Sequence, residues 1–242
     1  MKAVILAAGI GTRLKPLTDN TPKCLLKAGN KKILELTIDN VIASNIDDVI
    51  IVTGYLEQQI KNFVSAKYPH LNVEYIYNEM YSSTNNIYSL WLAKDSLLGH
   101  EILLLDSDII FDKDIIAMLF ASGHDNCLAL KRHNVQDEEI KVKADVKGRV
   151  LEIGKEVKLK EAIGESIGIE KFGVSTLYKL FNILDCKILI EKNVNQFYEA
   201  AFQELADKDT DIFTVDITGH ICMEIDTAAD LKAAGKILLK QY

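Results

Sequence analysis

A glycine-rich loop that carries two cations is the first feature whose residue types could do chemistry. Gly9 and Gly11 directly follow a short apolar run, and Arg13 and Lys23 lie further along the same loop. Glycine lets backbone N–H groups approach phosphate oxygens closely, arginine offers them a planar fork, and lysine offers a point charge. Two glycines alone would fit a plain turn equally well. The two cations favour a loop that folds over a triphosphate.

Other phosphate-binding loops do not match these residues. A dinucleotide-binding fingerprint would require a third glycine at position 14, where the chain has Leu14. A P-loop would require Gly-Lys followed by Ser or Thr, which the sequence lacks. Both classes of nucleotide-binding loop are therefore disfavoured.

Two carboxylates form a second chemical feature. Asp106 and Asp108 end the apolar run that begins at Ile102, and the strand period of two places both acids on one face. Magnesium is a hard cation that takes one or two carboxylates together with substrate phosphates. Solvated acids at a strand end are a common alternative, but two acids on one side are costly without a partner. The pair therefore favours a metal site.

Alternating strands and helices must position these residues. Short apolar runs predict strands over Lys2–Ala8, Val49–Thr53, Val73–Tyr77 and Ile102–Asp106. Helical apolar spacing predicts helices over Ile33–Ser44, Leu56–Lys67 and Asn86–Leu98. This order predicts an α/β fold with a Rossmann-like, mostly parallel sheet flanked by helices. The glycine loop follows the first strand, where such sheets bind ligands.

The pattern changes after about residue 125. Strands are predicted over Cys127–Arg132, Ile140–Val146, Arg149–Gly154, Ile167–Val174, Ile212–Ile217 and Cys222–Ile225, with a tight hairpin at Lys147-Gly148. Helices are predicted over Thr176–Lys192, Gln196–Asp207 and Ala228–Lys240. No linker is visible. We therefore expect a single domain over residues 1–242, in which residues 126–242 form a mixed-strand lobe inserted against the sheet of residues 1–125.

Composition and charge restrict the partners. Hydrophobic residues make up 48% of the chain and charged residues 26%, the usual mix of a soluble globular protein. A net charge of −7 disfavours nucleic acid, which needs a basic face. Residues 1–32 nevertheless hold seven basic side chains against one acid, which suits a small phosphate compound. The start of the chain has neither a signal-peptide pattern nor a membrane span, so we expect a cytoplasmic protein without a membrane partner.

Cysteine and histidine spacing argues against a zinc site. Cys24, Cys127, Cys186 and Cys222 are widely separated, which also argues against a disulfide framework. None of the five histidines lies at metal-ligand spacing with another, so no role is assigned to them. We expect free, structural thiols.

A family resemblance rests on the glycine loop. The string L-A-A-G-x-G-T-R at residues 6–13, followed by T-P-K at residues 21–23, resembles the signature of nucleotidyltransferases that activate sugar 1-phosphates and phospho-alcohols. The resemblance implies that the nucleotide is held by Leu6, Ala7, Ala8, Gly9, Gly11, Thr12, Arg13 and Lys23. A solvated basic loop is the alternative.

The same resemblance assigns the acids. It implies that Asp108 is a metal ligand and that Asp106 is the additional nucleotide-side acid of the cytidylyl-transferring branch. The string E-I-D-T at residues 224–227 resembles the segment that supplies a second metal aspartate, here Asp226, with Glu224 lining the acceptor pocket. The implied cofactor is Mg²⁺.

The segment N-N-x-Y-S-L at residues 85–90 resembles phosphocholine-type cytidylyltransferases. It implies base contacts from Asn85, Asn86, Tyr88 and Ser89. Amide side chains can both donate to and accept from a pyrimidine edge, which favours CTP. Asn85 as a helix cap is the alternative, and both roles are compatible.

Two further segments, at residues 149–155 and 164–169, resemble the acceptor-binding part of this branch. They imply that Lys155 holds the acceptor phosphate and that Glu165 faces its head group. Glu165 and Glu199 could pair with an amino or trimethylammonium group, helped by Tyr178 or Tyr198. Trp91 is expected in the core.

The expected reaction is the transfer of CMP from CTP to phosphocholine, aminoethylphosphonate or a similar acceptor, with release of pyrophosphate. Because the attacking phosphate is already ionised, catalysis would rest on charge neutralisation by Mg²⁺, Arg13, Lys23 and Lys155. A sugar 1-phosphate uridylyl- or thymidylyltransferase is the nearest alternative. A non-catalytic nucleotide-sensing subunit is another, although such a protein tends to lose one of these cations or metal acids. The acceptor and the oligomeric state stay open.

Overall fold

The computed structural model describes residues 1–241, with the backbone alone at residues 240 and 241. The strands are β1 (Lys2–Ala7), β2 (Lys27–Ala28), β3 (Lys31–Lys32), β4 (Asp48–Thr53), β5 (Asn72–Tyr77), β6 (Ile102–Asp106), β7 (Ile109–Phe111), β8 (Cys127–Lys131), β9 (Lys141–Ala144), β10 (Val150–Gly154), β11 (Gly164–Phe172), β12 (Phe213–Asp216) and β13 (Cys222–Glu224). The helices are α1 (Ile33–Ala43), α2 (Glu57–Lys67), α3 (Asn86–Leu92), α4 (Lys94–Leu97), α5 (Asp114–Ala121), α6 (Val174–Asp185), α7 (Glu199–Asp207) and α8 (Ala228–Gln241).

A nine-stranded sheet organises the chain, in the order β10-β9-β11-β6-β1-β4-β5, with β8 beside β11 and β12 beside β8. Strand β1 runs parallel to β4 and β6, and β4 runs parallel to β5. Strand β11 then joins β6 in the antiparallel direction. The predicted α/β class is confirmed: a parallel core flanked by helices and extended by mixed strands.

Both faces of the parallel strands β1, β4 and β6 are buried. Val4 and Leu104 pack into one core with Leu90 of α3, whereas Ile5 and Leu105 pack into the opposite core with α1, α2 and α5. Because neighbouring residues of a strand point to opposite faces, a continuous apolar run is what this position requires. This explains why the predicted strands β1, β4 and β6 are confirmed to within about a residue. Strand β5 is confirmed equally closely, although it lies partly exposed at the edge of the sheet.

Some predicted boundaries are wrong. The helix predicted over Asn86–Leu98 is broken at Ala93, whose ψ of 0° leaves the helical region and separates α3 from α4. The helix predicted over Thr176–Lys192 ends earlier, at Asp185, and a π-helical turn follows over Cys186–Ile190. Apolar spacing continues through these changes, so it does not reveal them.

Strand β11 also differs from its prediction, since it begins at Gly164 rather than Ile167. Its pairing with β8 shifts between Ser166 and Glu170, around Gly168, which has φ of +70°. The shift lets one strand pair with β8, β9 and β6. Among residues 1–241, no helix is long and apolar enough to cross a membrane.

Candidate active site

The glycine loop and the first two acids meet at one end of the sheet. Leu6 of β1 is paired with Asp106 of β6 in a parallel register, so the two strands end side by side. The loop that follows β1 therefore lies beside the segment that carries Asp108. This is the edge at which open α/β sheets bind ligands.

Gly11 lies in close contact with Lys23. Gly11 has φ of +68°, and a Cβ built on it would lie 3.0 Å from the Cβ atom of Lys23. The hydroxyl of Thr18 donates a hydrogen bond of 2.8 Å to the Gly11 carbonyl. A side chain at position 11 would be strained and would press on Lys23. The glycine thus allows the loop to fold back closely on itself.

A small antiparallel pair adds the third and fourth acids. Strand β7 follows Asp108 directly, and its Ile109 is paired with Glu224 of β13. The Ile225 N–H donates to the Asp108 carbonyl at 2.9 Å. Carboxylate oxygens of Asp108, Glu224 and Asp226 consequently lie within 4.8 Å of one another.

Two cations of the glycine loop contact these acids. Lys23 Nζ donates to Asp108 Oδ2 at 2.6 Å and to Asp226 Oδ1 at 2.7 Å. Arg13 Nη2 lies 2.7 Å from the same oxygen of Asp226. Burial alone would lower the pKa of the Lys23 ammonium, but Asp108 and Asp226 outweigh burial and raise that pKa. Lys23 is therefore a permanent cation at physiological pH.

A cavity of about 320 Å³ lies above the loop. It is lined by all but one of the residues predicted to hold the nucleotide: Leu6, Ala7, Ala8, Gly9, Gly11, Thr12, Arg13, Lys23, Asn85, Asn86, Ser89 and Asp106. The exception is Tyr88, which is outside the lining and packs on the ring of Trp91 at a centroid distance of 5.3 Å. Helical geometry explains this, because Tyr88 and Ser89 point in different directions from α3.

The amide oxygens at the start of α3 already have backbone partners. Asn85 Oδ1 accepts from the Asn86 N–H at 2.8 Å, which confirms Asn85 as the helix cap. Asn86 Oδ1 accepts from the Tyr198 N–H at 2.9 Å and so ties α3 to the start of α7. Each side chain can still donate a hydrogen bond to a ligand through its Nδ2 group.

A second cavity, of about 670 Å³, adjoins the first. The two share a wall formed by Arg13, Asn86, Asp106, Asp108, Phe197, Glu224 and Asp226. All four residues predicted for the acceptor, namely Lys155, Glu165, Glu199 and Glu224, line the second cavity. Lys23 lines only the first cavity and Lys155 only the second.

Lys155 is held by two neighbours in the second cavity. Its Nζ lies 3.0 Å from Glu138 Oε2 and 4.9 Å from the ring centroid of Phe197. The Glu138 side chain is 92% exposed, so an incoming phosphate can compete with it for the ammonium.

Asp106 of the shared wall lies close to other carboxyl groups. The hydroxyl of Tyr198 donates to Asp106 Oδ2 at 3.1 Å, and Glu170 is fully buried next to both. Burial, together with the charges of Asp108 and Glu199, raises the pKa of Asp106 well above its usual value. Burial and the charge of Asp106 do the same for the pKa of Glu170. Burial raises the pKa of Glu199 to about 7.

Comparison with known proteins identifies this arrangement. A family model described as nucleotidyl transferase matches residues 2–138. The chain belongs to the nucleotidyl transferase family. The CTP:phosphoglutamine cytidylyltransferase of Campylobacter jejuni is 30% identical to it, over 96% of this chain and 98% of the relative. The choline-phosphate cytidylyltransferase of Streptococcus pneumoniae is 28% identical, over 98% of both chains.

Solved structures agree with this identification. The CTP:phosphocholine cytidylyltransferase from Streptococcus pneumoniae superposes with a TM-score of 0.81 at 26% identity and covers 98% of both chains. The inositol-1-phosphate CTP transferase from T. maritima superposes with a TM-score of 0.79 at 16% identity, covering 97% of this chain and 96% of that one. The second likeness shows the fold alone.

Several residues of this nucleotidyltransferase site were not predicted. Asn78, just after β5, lines the first cavity and donates through Nδ2 to the hydroxyls of Thr84 and Ser89 at 3.1 Å each. Its position at the carboxyl end of a parallel strand was the available signal. No feature of the sequence indicated that Phe197 would lie on the shared wall.

The surroundings of the residues predicted to bind the acceptor also differ from expectation. His133, which was given no role, lies 3.0 Å from Glu165 and 3.7 Å from Glu139 through Nε2. Neither of the tyrosines predicted to contact the head group lines the second cavity. Tyr178 lies outside the lining and is 51% exposed, and Tyr198 is buried. Trp91 is half-buried rather than fully in the core, and its indole N–H donates to Asp185.

Proposed function

We propose that this nucleotidyltransferase transfers CMP from CTP to a small phosphorylated acceptor and releases pyrophosphate. The observation that carries the proposal is the pair of adjoining cavities with a shared carboxylate wall. One cavity holds the glycine loop and Lys23, and the other holds Lys155. Relatives named as cytidylyltransferases, similar over nearly the full length, support CTP as the donor.

The donor set on the shared wall fits magnesium. Asp108, Glu224 and Asp226 offer only hard oxygen ligands, at mutual distances short enough for one ion. We propose that Asp108 and Asp226 hold Mg²⁺, with Glu224 beside them. When bound, the ion would neutralise charge on the phosphates of the nucleotide.

Residues of the chain would position the triphosphate and the acceptor phosphate. Backbone N–H groups of the glycine loop, with Arg13 and Lys23, would hold the triphosphate, and Lys155 would hold the acceptor phosphate opposite the α-phosphate. An oxygen of that phosphate attacks the α-phosphorus in line, and the bond to the β-phosphate oxygen breaks to release pyrophosphate. The attacking oxygen is already ionised, so no general base is required.

Hydrogen-bond donors of the protein would recognise the base of the nucleotide. Since the oxygens of Asn85 and Asn86 accept backbone hydrogen bonds, their Nδ2 groups would donate to the base. Cytosine presents two acceptors, O2 and N3, on its pyrimidine edge, whereas N3 of uracil carries a proton. A site that offers two donors therefore favours CTP over UTP.

A substrate panel tests this proposal. Pyrophosphate release would be measured with CTP, UTP, ATP and dTTP, each with phosphocholine, 2-aminoethylphosphonate and a sugar 1-phosphate, and with Asp108→Asn as the inactive control. We expect kcat/KM to be at least about tenfold higher with CTP than with UTP, as one or two base hydrogen bonds allow. A preference for UTP or dTTP with the sugar phosphate would indicate a sugar-activating enzyme. Nucleotide binding without turnover would indicate a sensing subunit.

A further inference from the structure

Glu199 has a carboxylate oxygen without a hydrogen-bond partner. The residue is 4% exposed and lines the second cavity, and its Oε2 makes no hydrogen bond to any residue that the structure describes. A buried carboxylate oxygen left without a donor is strongly unfavourable. The nearby cation Lys155 does not relieve it, because Lys155 Nζ is engaged with Glu138.

Carboxyl groups outnumber cations in the lining of the second cavity. Nine carboxyl groups line it, against three permanently cationic side chains. One of those cations, Lys131, donates to the Cys222 carbonyl, and Arg13 contacts Asp226. Metal binding by Asp108 and Asp226 would still leave Glu139, Glu165 and Glu199 in the lining of the cavity. Such a surface favours an acceptor with a cationic end.

The aromatic content of the cavity is low. Phe197 is the single Phe, Tyr or Trp among its described lining residues, and the ammonium of Lys155 stands 4.9 Å from its ring centroid. Quaternary ammonium ions are recognised by cages of several aromatic rings, because they cannot donate a hydrogen bond. The second cavity is therefore poorly suited to a trimethylammonium group.

We infer that the acceptor of this enzyme carries a primary ammonium head group, which donates a hydrogen bond to the unpartnered carboxylate of Glu199. The inference rests on the proposed cytidylyl transfer and narrows its acceptor. An ammonium offers three N–H donors, and the broad terminal torsion of a glutamate lets its carboxylate turn either oxygen towards them. A trimethylammonium offers none and would leave Glu199 unpaired.

A matched series of acceptors tests the inference. Phosphoethanolamine and phosphocholine share the phosphate and the spacer and differ in N-methylation, and propyl phosphate replaces the head group with a methyl group. With CTP and Mg²⁺, kcat/KM should be at least about tenfold higher for phosphoethanolamine than for either of the others, as expected for a charge-assisted hydrogen bond. Glu199→Gln should bring the ratio of phosphoethanolamine to propyl phosphate to within about threefold of unity. Glu156→Gln, an exposed glutamate outside the cavity, should preserve the ratio.

Titration calorimetry of the same compounds into the protein with CTP and Ca²⁺ provides a readout without turnover. Tighter binding of phosphoethanolamine, weakened in Glu199→Gln, is expected. Phosphocholine that binds as tightly, or that is used as well, would overturn the inference while cytidylyl transfer itself stands. Absence of pyrophosphate release with all acceptors and nucleotides would instead overturn the proposed function.

Discussion

The ammonium of Lys23 lies 2.6 Å from the Asp108 carboxylate, on the same oxygens that we assign to magnesium. The same ammonium lies 2.7 Å from Oδ1 of Asp226. Lys23 therefore neutralises the two acids and competes with a divalent cation for them. When metal and nucleotide bind, the Lys23 ammonium would leave the two acids and contact the phosphates of the nucleotide.

Replacement of Lys23 by Met should separate its competition with the metal from its contact with the phosphates. We expect the affinity of the nucleotide-free protein for Mg²⁺ to rise about tenfold, because a charge-assisted hydrogen bond worth roughly 1.5–3 kcal/mol no longer competes. Turnover should fall by at least about a hundredfold, since a phosphate contact is lost. Calorimetry with Mg²⁺ and pyrophosphate assays measure the two quantities. Lys15→Met, an exposed lysine of the same loop, is the control, and an unchanged Mg²⁺ affinity would contradict the competition.

Replacement of either aspartate that we assign to magnesium should nearly abolish activity. Asp108→Asn and Asp226→Asn should each reduce kcat by at least about a hundredfold while the fold is kept, because each removes a ligand of the charge-neutralising ion. Lys23 would still be paired with the remaining acid. Circular dichroism and Mg²⁺ titrations of turnover check both statements, with exposed Asp19→Asn as the control. Turnover near that of the wild type in either variant would refute the metal assignment.

Asn86→Asp should weaken nucleotide selectivity. The substitution keeps an oxygen that can accept from the Tyr198 N–H and removes the Nδ2 donor that we assign to the base. The ratio of kcat/KM for CTP to that for UTP should fall by about three- to tenfold, since one such bond is worth roughly 0.5–1.5 kcal/mol. Asn62→Asp, on the exposed face of α2, controls for the added charge. An unchanged ratio would indicate that the base is read by the backbone.

Lys155→Ala should impair the acceptor rather than the nucleotide. Lys155 lines only the second cavity, so KM for the acceptor should rise by at least about tenfold, while the Kd for CTP stays within about twofold. Calorimetry with CTP and acceptor titrations of turnover separate the two effects. Exposed Lys158→Ala is the control. Equal loss of CTP binding would mean that Lys155 also contacts the α-phosphate.

Glu199 should make stability depend on pH. Its pKa is raised by burial from 4.5 to about 7, so the folded protein binds this proton more tightly than the unfolded chain. The favourable contribution is complete below about pH 4.5 and is lost as the pH rises to about 7. Glu199→Gln removes the effect, and its Tm should exceed that of the wild type at pH 8 by about 2–8 °C but match it near pH 5. Parallel curves of Tm against pH would contradict this.

Local patterns in the sequence determined the parallel half of the fold and the parts of the site that lie close together in the chain. A strand buried on both faces must be apolar throughout, so β1, β4 and β6 were recognisable. The glycine loop and the pair Asp106 and Asp108 each lie within a few residues, and the geometry of one strand and its loop suffices to align them. The helix break at Ala93 was not recognisable, because burial continues on both sides of it.

Tertiary structure decided which distant residues meet. Lys23 and Asp226 are 203 residues apart, and the short pair β7 and β13 is what brings Asp226 to Asp108. The pairing of β11 with β6 similarly places Glu170 near Asp106, and helix geometry turns Tyr88 away from the cavity. Periodicity specifies which face of an element is buried but not which partner covers it. The partner depends on strand pairing across the whole chain, and that pairing brought together the acids that we assign to magnesium.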